Sequence, residues 1–245
     1  MIKAYAKSDI GKAREINQDA FYITEDSFSE VQLFLLADGM GGANAGDIAS
    51  KLAVSCAKSY VENNFKDTPK DKDSLIQLLA SSMEYANMVV YEKSLEDIKF
   101  EGMGTTLEIC LIYNNRAYIG HIGDSRIYRI RKEIMRKLTQ DHSYVQKLVQ
   151  DGTITREEAE HHPQKNMLMK ALGCNAFVEP DVMVKGFLKG DILIICSDGL
   201  TNMVKQDDIF NVVKENFELA PKELIERANQ NGGIDNVTVI TIKNL

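Results

Sequence analysis

Carboxylates stand in turns at the ends of apolar runs in four distant parts of this chain. Leu33-Phe34-Leu35-Leu36-Ala37 leads into Asp38-Gly39, Ala117-Tyr118-Ile119-Gly120-His121-Ile122 into Gly123-Asp124-Ser125, and Ile192-Leu193-Ile194-Ile195-Cys196 into Ser197-Asp198-Gly199. A fourth turn, Gly232-Gly233-Ile234-Asp235-Asn236, precedes the strand-like Val237-Thr238-Val239. This placement sets acids at the ends of buried strands, where hard oxygen ligands can converge on Mg²⁺ or Mn²⁺. The chemistry is that of a metallohydrolase. Two divalent ions about 3.5–4 Å apart can hold a bridging water, lower its pKa from about 15.7 toward neutrality and clamp an in-line displacement at phosphorus. Glycine after Asp38 leaves room for a backbone carbonyl to approach a metal.

Asp-Gly is also an ordinary turn signal, and the chain carries its own control. Asp151-Gly152 follows the polar Val149-Gln150 inside a polar stretch, with no buried strand to aim its carboxylate, and reads as a plain turn. Gly41-Gly42-Ala43-Asn44-Ala45-Gly46 lacks the Lys-Ser/Thr partner of a phosphate-cradling loop and reads as close backbone approach before a helix.

The elements that must position these acids follow from periodicity. Strand-like runs lie at about 2–8, 20–25, 31–37, 105–113, 116–122, 125–131, 178–184, 191–197 and 236–243, with Asn114-Asn115 and Asp124-Ser125 as tight turns. Ile48, Leu52, Ala53, Cys56 and Tyr60 recur at helical spacing, as do Leu75, Leu78, Leu79, Met83 and Ala86, and a helix pair is expected at about 205–217 and 221–230. From Thr139 to Gly173 the chain turns polar, with short helical patterns around 143–150 and 155–161, and reads as a flap insertion outside the main body. Strands grouped between helix pairs favour an antiparallel α+β sandwich over a doubly wound parallel sheet.

The 245 residues fit one domain, and no apolar run approaches the roughly 18–20 residues of a membrane span. With no signal-like start, a cytoplasmic location is expected. A net charge of -7 argues against nucleic acid as the main partner, and it suits a carboxylate-lined metal site as well as it suits a merely solvated acidic surface. Cys56, Cys110, Cys174 and Cys196 are far apart and read as reduced core thiols.

Arg14-Glu15-Ile16-Asn17-Gln18-Asp19, Asp38-Gly39-Met40-Gly41-Gly42, Gly104-Thr105-Thr106, Gly123-Asp124-Ser125-Arg126, Ser197-Asp198-Gly199-Leu200 and Asp235-Asn236-Val237-Thr238 stand in an order that resembles the metal-dependent type 2C serine/threonine protein phosphatases. The resemblance spans essentially the whole chain and is strongest to the small bacterial members that oppose Ser/Thr kinases. It implies a four-layer sandwich of two antiparallel sheets flanked by helix pairs. It also implies hydrolysis of phosphoserine and phosphothreonine on proteins by a hydroxide bridging two metals, Mn²⁺ or Mg²⁺. Asp38 would lie between the core ions with the Gly39 carbonyl on one of them; Asp198 and Asp235 would ligate the other. Asp124, with Asp198, would complete a weaker third site, Asp19 would act mostly through metal-bound waters, and Asn236 would stand behind the ligands. Arg14 would receive the substrate phosphate, a role that suits its planar charged fork; taken alone it reads as an exposed ion pair with a neighbour such as Glu15, a reading that the other motifs displace.

Some relatives carry a general-acid histidine after the Asp-Gly pair, where this chain has Met40. His161 and His162 are candidate replacements, as is water on the third metal. His121 reads as a satisfied core residue, His142 as a cap on the insertion, and Arg126 as a brace for the turn carrying Asp124. Gly104-Thr105-Thr106 reads as tight packing near the metals. Expected partners are phosphorylated proteins, including a cognate Ser/Thr kinase, with the enzyme itself a monomer. The alternatives are a related phosphoesterase with a small-molecule or dedicated regulatory-protein substrate, and a silent binding domain of the same fold; the presence of all four strand-end aspartates argues against silence.

Overall fold

In the computed structural model, residues 1–26, 29–41 and 45–245 are described. The first strands are β1 (Ile2–Asp9), β2 (Asp19–Ile23) and β3 (Gln32–Met40). Two long helices follow, α1 (Ala45–Phe65) and α2 (Lys72–Leu95), the second capped by Asp71, whose side chain accepts from the Asp73 and Ser74 amides. Next come β4 (Gly104–Thr105), β5 (Leu107–Tyr113), β6 (Arg116–Ile122), β7 (Arg126–Arg131) and β8 (Ile134–Lys137). The flap holds α3 (Tyr144–Gln150) and α4 (Arg156–Glu160). Strands β9 (Asp181–Gly186) and β10 (Ile192–Cys196), helices α5 (Asp198–Thr201), α6 (Gln206–Glu215) and α7 (Ala220–Gln230), and strand β11 (Val237–Asn244) complete the chain.

The strands form two antiparallel sheets, ordered β1-β11-β10-β7-β8 and β2-β3-β5-β6-β9, with β4 added to β3. Side-chain alternation builds the layers. On β3 and β5, Leu33, Leu35, Leu107, Ile109 and Leu111 face α1 and α2, while Phe34, Leu36, Cys110 and Ile112 face the other sheet. On the far side, Ile194, Cys196, Val237 and Val239 pack against α6 and α7 through Ile209, Val213, Leu224 and Ile225. The result is the expected four-layer α+β sandwich.

Antiparallel pairing also decides where the acids go. Asp19 pairs directly with Asp38 across β2 and β3. The end of β10, Cys196, lies beside both Arg126 at the start of β7 and Val239 near the start of β11. The turn from β6 to β7 crosses between the sheets and carries Asp124. All five acids therefore share one end of the sandwich.

The Asn114-Asn115 turn is as expected, with φ of 47° and 57° at its two residues, the conformation of a tight hairpin. Two expectations are corrected, and two features were not foreseen. β8 was not foreseen: it is a short edge strand bearing Arg136 and Lys137, with little apolar alternation. The strand expected at 178–184 begins only at Asp181, after Pro180, which has no N–H for a ladder. Cys174 lies on an exposed loop rather than in the core. The flap is anchored at both ends: Thr139 and Leu172 are buried, Leu172 exchanges two backbone hydrogen bonds with Thr105 (2.9 and 3.0 Å), and Tyr144 N–H donates to Met167 O at 2.8 Å. Among the described residues no helix is long and apolar enough to cross a membrane.

Candidate metal centre

Leu33 to Ala37 are fully buried, and β3 carries that run to Asp38, where solvent is first partly reached. The Asp38 backbone is held from several sides. Its N–H donates to Thr106 Oγ1 (2.9 Å), and its carbonyl accepts from Thr105 Oγ1 and the Thr106 N–H, each at 2.9 Å. The main chain that carries the carboxylate is thus fixed before any ligand arrives. Gly39 and Gly46 show the close approach expected of this glycine-rich loop: a Cβ on Gly39 would lie 2.0 Å from the Gly46 carbonyl oxygen. Residues 42–44 of that loop lie outside the described residues.

Asp19 accepts from Ser197 Oγ at 2.8 Å, and the same Oγ accepts from the Thr238 N–H, which stitches β2 to β10 and β11. Asp198 opens α5 and accepts from Asn202 Nδ2 at 3.0 Å, one turn along. Asp235 accepts at Oδ2 from Arg14 Nη2 (2.9 Å) and at Oδ1 from the Asn236 N–H (2.9 Å). Asn236 fastens the 10–18 segment beneath these groups, its Nδ2 donating to the Ile10 and Ile16 carbonyls and its Oδ1 accepting from the Gln18 N–H. Sequence reasoning missed Thr106, Ser197 and Asn202. The first two are legible as hydroxyls inside the motifs that carry the acids; Asn202 needed the helical spacing of α5.

Burial, followed by repulsion from Asp19, Asp198, Asp124 and Asp235, drives the Asp38 carboxyl well above the usual range. Burial pushes Asp19 up to about 7, with Ser197 and Thr238 pulling against it and Asp198 and Asp235 adding to it. Asp124 is likewise raised to about 7 by burial and then by Asp198 and Asp141. Asp198 is raised by burial and by Asp235. So dense a group of carboxyls cannot ionise together at neutral pH unless positive charge offsets it.

The residues fit hard divalent cations. Their donors are all oxygen, and Asp19 Oδ1 is buried with no hydrogen-bond partner. Among the described residues no three histidine, cysteine, aspartate or glutamate side chains form a ready coordination shell, so the acids converge as a field of charge and not as a closed cage.

The other candidates fall in different places. Arg14 pairs with Asp235 across 221 residues, and not with Glu15. Arg126, at the start of β7, makes a forked contact to buried Asp141 (2.8–3.3 Å) at the root of the flap, joined there by Lys137. His161 ends α4 and is exposed; His162 accepts from the Gln164 N–H at 3.1 Å and lies against Tyr144. Neither is among the groups that bond to or shift the five aspartates. His142 does not cap the flap helix, a task that falls to Ser143. Asp151 ends α3 and Gly152 takes φ 71° in open space, as a plain turn should. A surface cavity of about 300 Å³ beside Lys132, Lys214, Phe217 and Lys243 lies at the opposite end of the sandwich.

The family model described as Protein phosphatase 2C matches residues 11–231. Protein phosphatase PhpP of Streptococcus pneumoniae is 39% identical over 240 residues, covering 96% of this chain and 94% of that protein. The serine/threonine phosphatase stp of Listeria innocua is 36% identical, covering 97% and 94%. The structure of the S. agalactiae serine/threonine phosphatase superposes with a TM-score of 0.91 at 37% identity over all of both chains. The catalytic domain of the serine/threonine protein phosphatase PstP, in complex with two manganese ions, does so with a TM-score of 0.86 at 34% identity, covering 99% and 97%.

Proposed function

This chain belongs to the protein phosphatase 2C family and is a divalent-metal-dependent serine/threonine protein phosphatase, and from that premise we propose which of its residues carry the reaction. Asp38, Asp198 and Asp235, with the Gly39 carbonyl, hold two core ions, and Asp124 with Asp198 holds a weaker third. Bound divalent ions supply Lewis acidity and an activated water for in-line displacement at phosphorus. Asp19, paired with Asp38 across the strands, keeps its Oδ1 free to accept on the metal side, and Asn236 stands behind the ligands through the segment it fastens. Arg14, half exposed, swings its guanidinium from Asp235 to the substrate phosphate and positions it by a two-pronged contact. Thr105 and Thr106 keep the Asp38 backbone in place as charge builds up at the site.

The observation that carries this assignment is the convergence of five aspartates from both sheets at one end, where burial and neighbouring carboxylates raise Asp38, Asp19, Asp124 and Asp198. Among the described residues no contact links His161 or His162 to these aspartates. Mn²⁺ and Mg²⁺ both suit the donor set. The substrates we propose are cytoplasmic phosphoproteins, a cognate Ser/Thr kinase among them, acted on by a monomer; unpaired cysteines suit that compartment. The test is hydrolysis of a phosphothreonine peptide by Ala variants. Asp38→Ala, Asp198→Ala and Asp235→Ala abolish turnover, whereas Asp151→Ala leaves it within a few-fold. Equal losses at all four positions would mean that turns had been taken for ligands.

A further inference from the structure

Beneath the Asp124 turn lies a row of titratable side chains to which the chemistry above gives no role. Glu108 on β5, His121 on β6 and Asp181 on β9 are direct cross-strand neighbours. Glu108 and His121 are fully buried at the end of the inter-sheet core, and Glu108 Oε2 has no partner. His121 Nδ1 bonds Glu108 Oε1, while its Nε2 lies 2.8 Å from the Gln140 carbonyl oxygen at the root of the flap. The His142 ring stacks on His121, with centroids 4.5 Å apart and planes at 33°. His142 Nε2 lies 3.2 Å from Asp181 Oδ2, and its Nδ1 accepts from the Gly123 N–H at 3.2 Å. The His142 N–H in turn donates to the Gly123 carbonyl at 2.7 Å, and its carbonyl accepts from the Met169 N–H on the flap's returning strand at 2.7 Å.

Proton counting assigns the rings. A carbonyl only accepts, so His121 Nε2 carries a hydrogen. A backbone N–H only donates, so His142 Nδ1 is bare and its proton sits on Nε2, facing Asp181. His142 thus grips both backbone groups of Gly123, the residue before Asp124. From the other side Gly123 is pressed by Thr106, whose Cγ2 a Cβ there would meet at 2.5 Å, and φ is 113°.

We infer that His142, seated on His121 and Asp181, is a positioning residue that clamps Gly123 and so fixes both the aim of Asp124 and the root of the flap. The functional half of this rests on Asp124 being a metal residue. The clamp requires a neutral His142, since a proton on Nδ1 would face the Gly123 N–H. Burial and the neighbouring His121 hold His142 below its ordinary value, with Asp181 opposing and Lys170 assisting. Burial lowers His121, but Glu108, the Gln140 carbonyl and Asp141 outweigh it and raise it to about 8. The clamp therefore holds wherever His142 is neutral and opens only as pH falls through its lowered pKa.

The test uses ¹⁵N-histidine-labelled, full-length protein and two variants. Long-range ¹H–¹⁵N spectra at pH 7 are expected to show His142 as the neutral Nε2–H tautomer; an Nδ1–H tautomer or an imidazolium would overturn the assignment. His142→Phe keeps the ring stack and removes both polar contacts, so Gly123 amide exchange should rise about tenfold, the worth of one buried hydrogen bond. Mn²⁺ affinity at the weakest site should fall by a similar factor. His142→Asn, whose Oδ1 can replace Nδ1 as acceptor, should restore both to within about threefold. Equal loss in Asn and Phe, or unchanged Gly123 exchange in Phe, would refute the clamp. If the Phe variant fails to fold, the wild type decides: Gly123 exchange must accelerate beyond intrinsic rates as His142 protonates, and indifference to that titration would refute the clamp. Changed Gly123 exchange with unchanged metal affinity would leave the clamp standing and remove Asp124 from the metal site.

Discussion

The Arg14–Asp235 contact joins a half-exposed guanidinium to a carboxylate that is 30% exposed, and pairs of that kind are worth about 0–1 kcal/mol. Moving Arg14 onto a phosphate therefore costs little. Arg14→Ala is expected to raise KM for a phosphothreonine peptide more than it lowers kcat, because a contact made equally in ground and transition states is lost from both; a pure kcat defect would place Arg14 in transition-state stabilisation instead. Protonation gives a second expectation. Asp19 and Asp124 titrate near 7 in the folded chain, and cations need them ionised. Metal uptake at pH 6.5 should release protons, seen as a heat that depends on buffer ionisation enthalpy, and apparent affinity should fall as pH drops from about 7.5 to 5.5. Buffer-independent heats would contradict the raised carboxyls. Asp38, Asp124 and Asp198 were legible because each follows an apolar run and Asp235 because it precedes one, which also separated them from Asp151; Asp19 was named only through the family resemblance. Their partners were not: Arg14–Asp235 and Ser197–Asp19 span 221 and 178 residues, and no local pattern encodes such a pairing.

The flap shows what an element's composition does and does not reveal. Its polar residues and two short helices were readable, and Thr155 with Glu158 forms the capping box of α4. Its anchoring was not, because Asp141 is held by Arg126 on β7, Ser143 bridges Leu168 and Leu172 bonds Thr105 on β4, none of which follows from a hydrophobic period. Asp141 is the charged member of that anchor. Arg126→Ala should destabilise the fold by roughly 3 kcal/mol, the lower end for breaking a buried pair because Lys137 remains beside Asp141. Urea unfolding checks this, and a loss under about 0.5 kcal/mol, the size of an ordinary surface substitution, would make the brace incidental. Shortening the flap between residues 146 and 165 leaves the anchors intact. It should change preference among phosphoproteins while hydrolysis of p-nitrophenyl phosphate stays within roughly tenfold, about 1.4 kcal/mol in barrier. Loss of both activities together would show that the flap is part of the reaction centre and does not merely govern access to it.

At the scale of the whole molecule, antiparallel pairing turns scattered sequence into one site, and the layers around it supply the stability. The four-layer order was readable from grouped strands and helix pairs, whereas the joint contribution of both sheets to one cluster appears only once strand order and register are known. That cluster has a cost. Because Asp19 and Asp124 hold protons to about pH 7 when folded but only to about 4 when unfolded, the metal-free native state binds more protons in that window, and its stability falls as pH rises through it. Thermal melts of chelator-treated protein should show Tm declining between pH 5 and 7, and Mn²⁺ should raise Tm more at pH 7 than at pH 5. The most direct measurement is anomalous diffraction from crystals grown with Mn²⁺. Two strong peaks should lie among Asp38, the Gly39 carbonyl, Asp198 and Asp235, with a weaker third beside Asp124 that vanishes in Asp124→Ala. Manganese bound away from these side chains, with the five carboxylates left unliganded, would contradict the account.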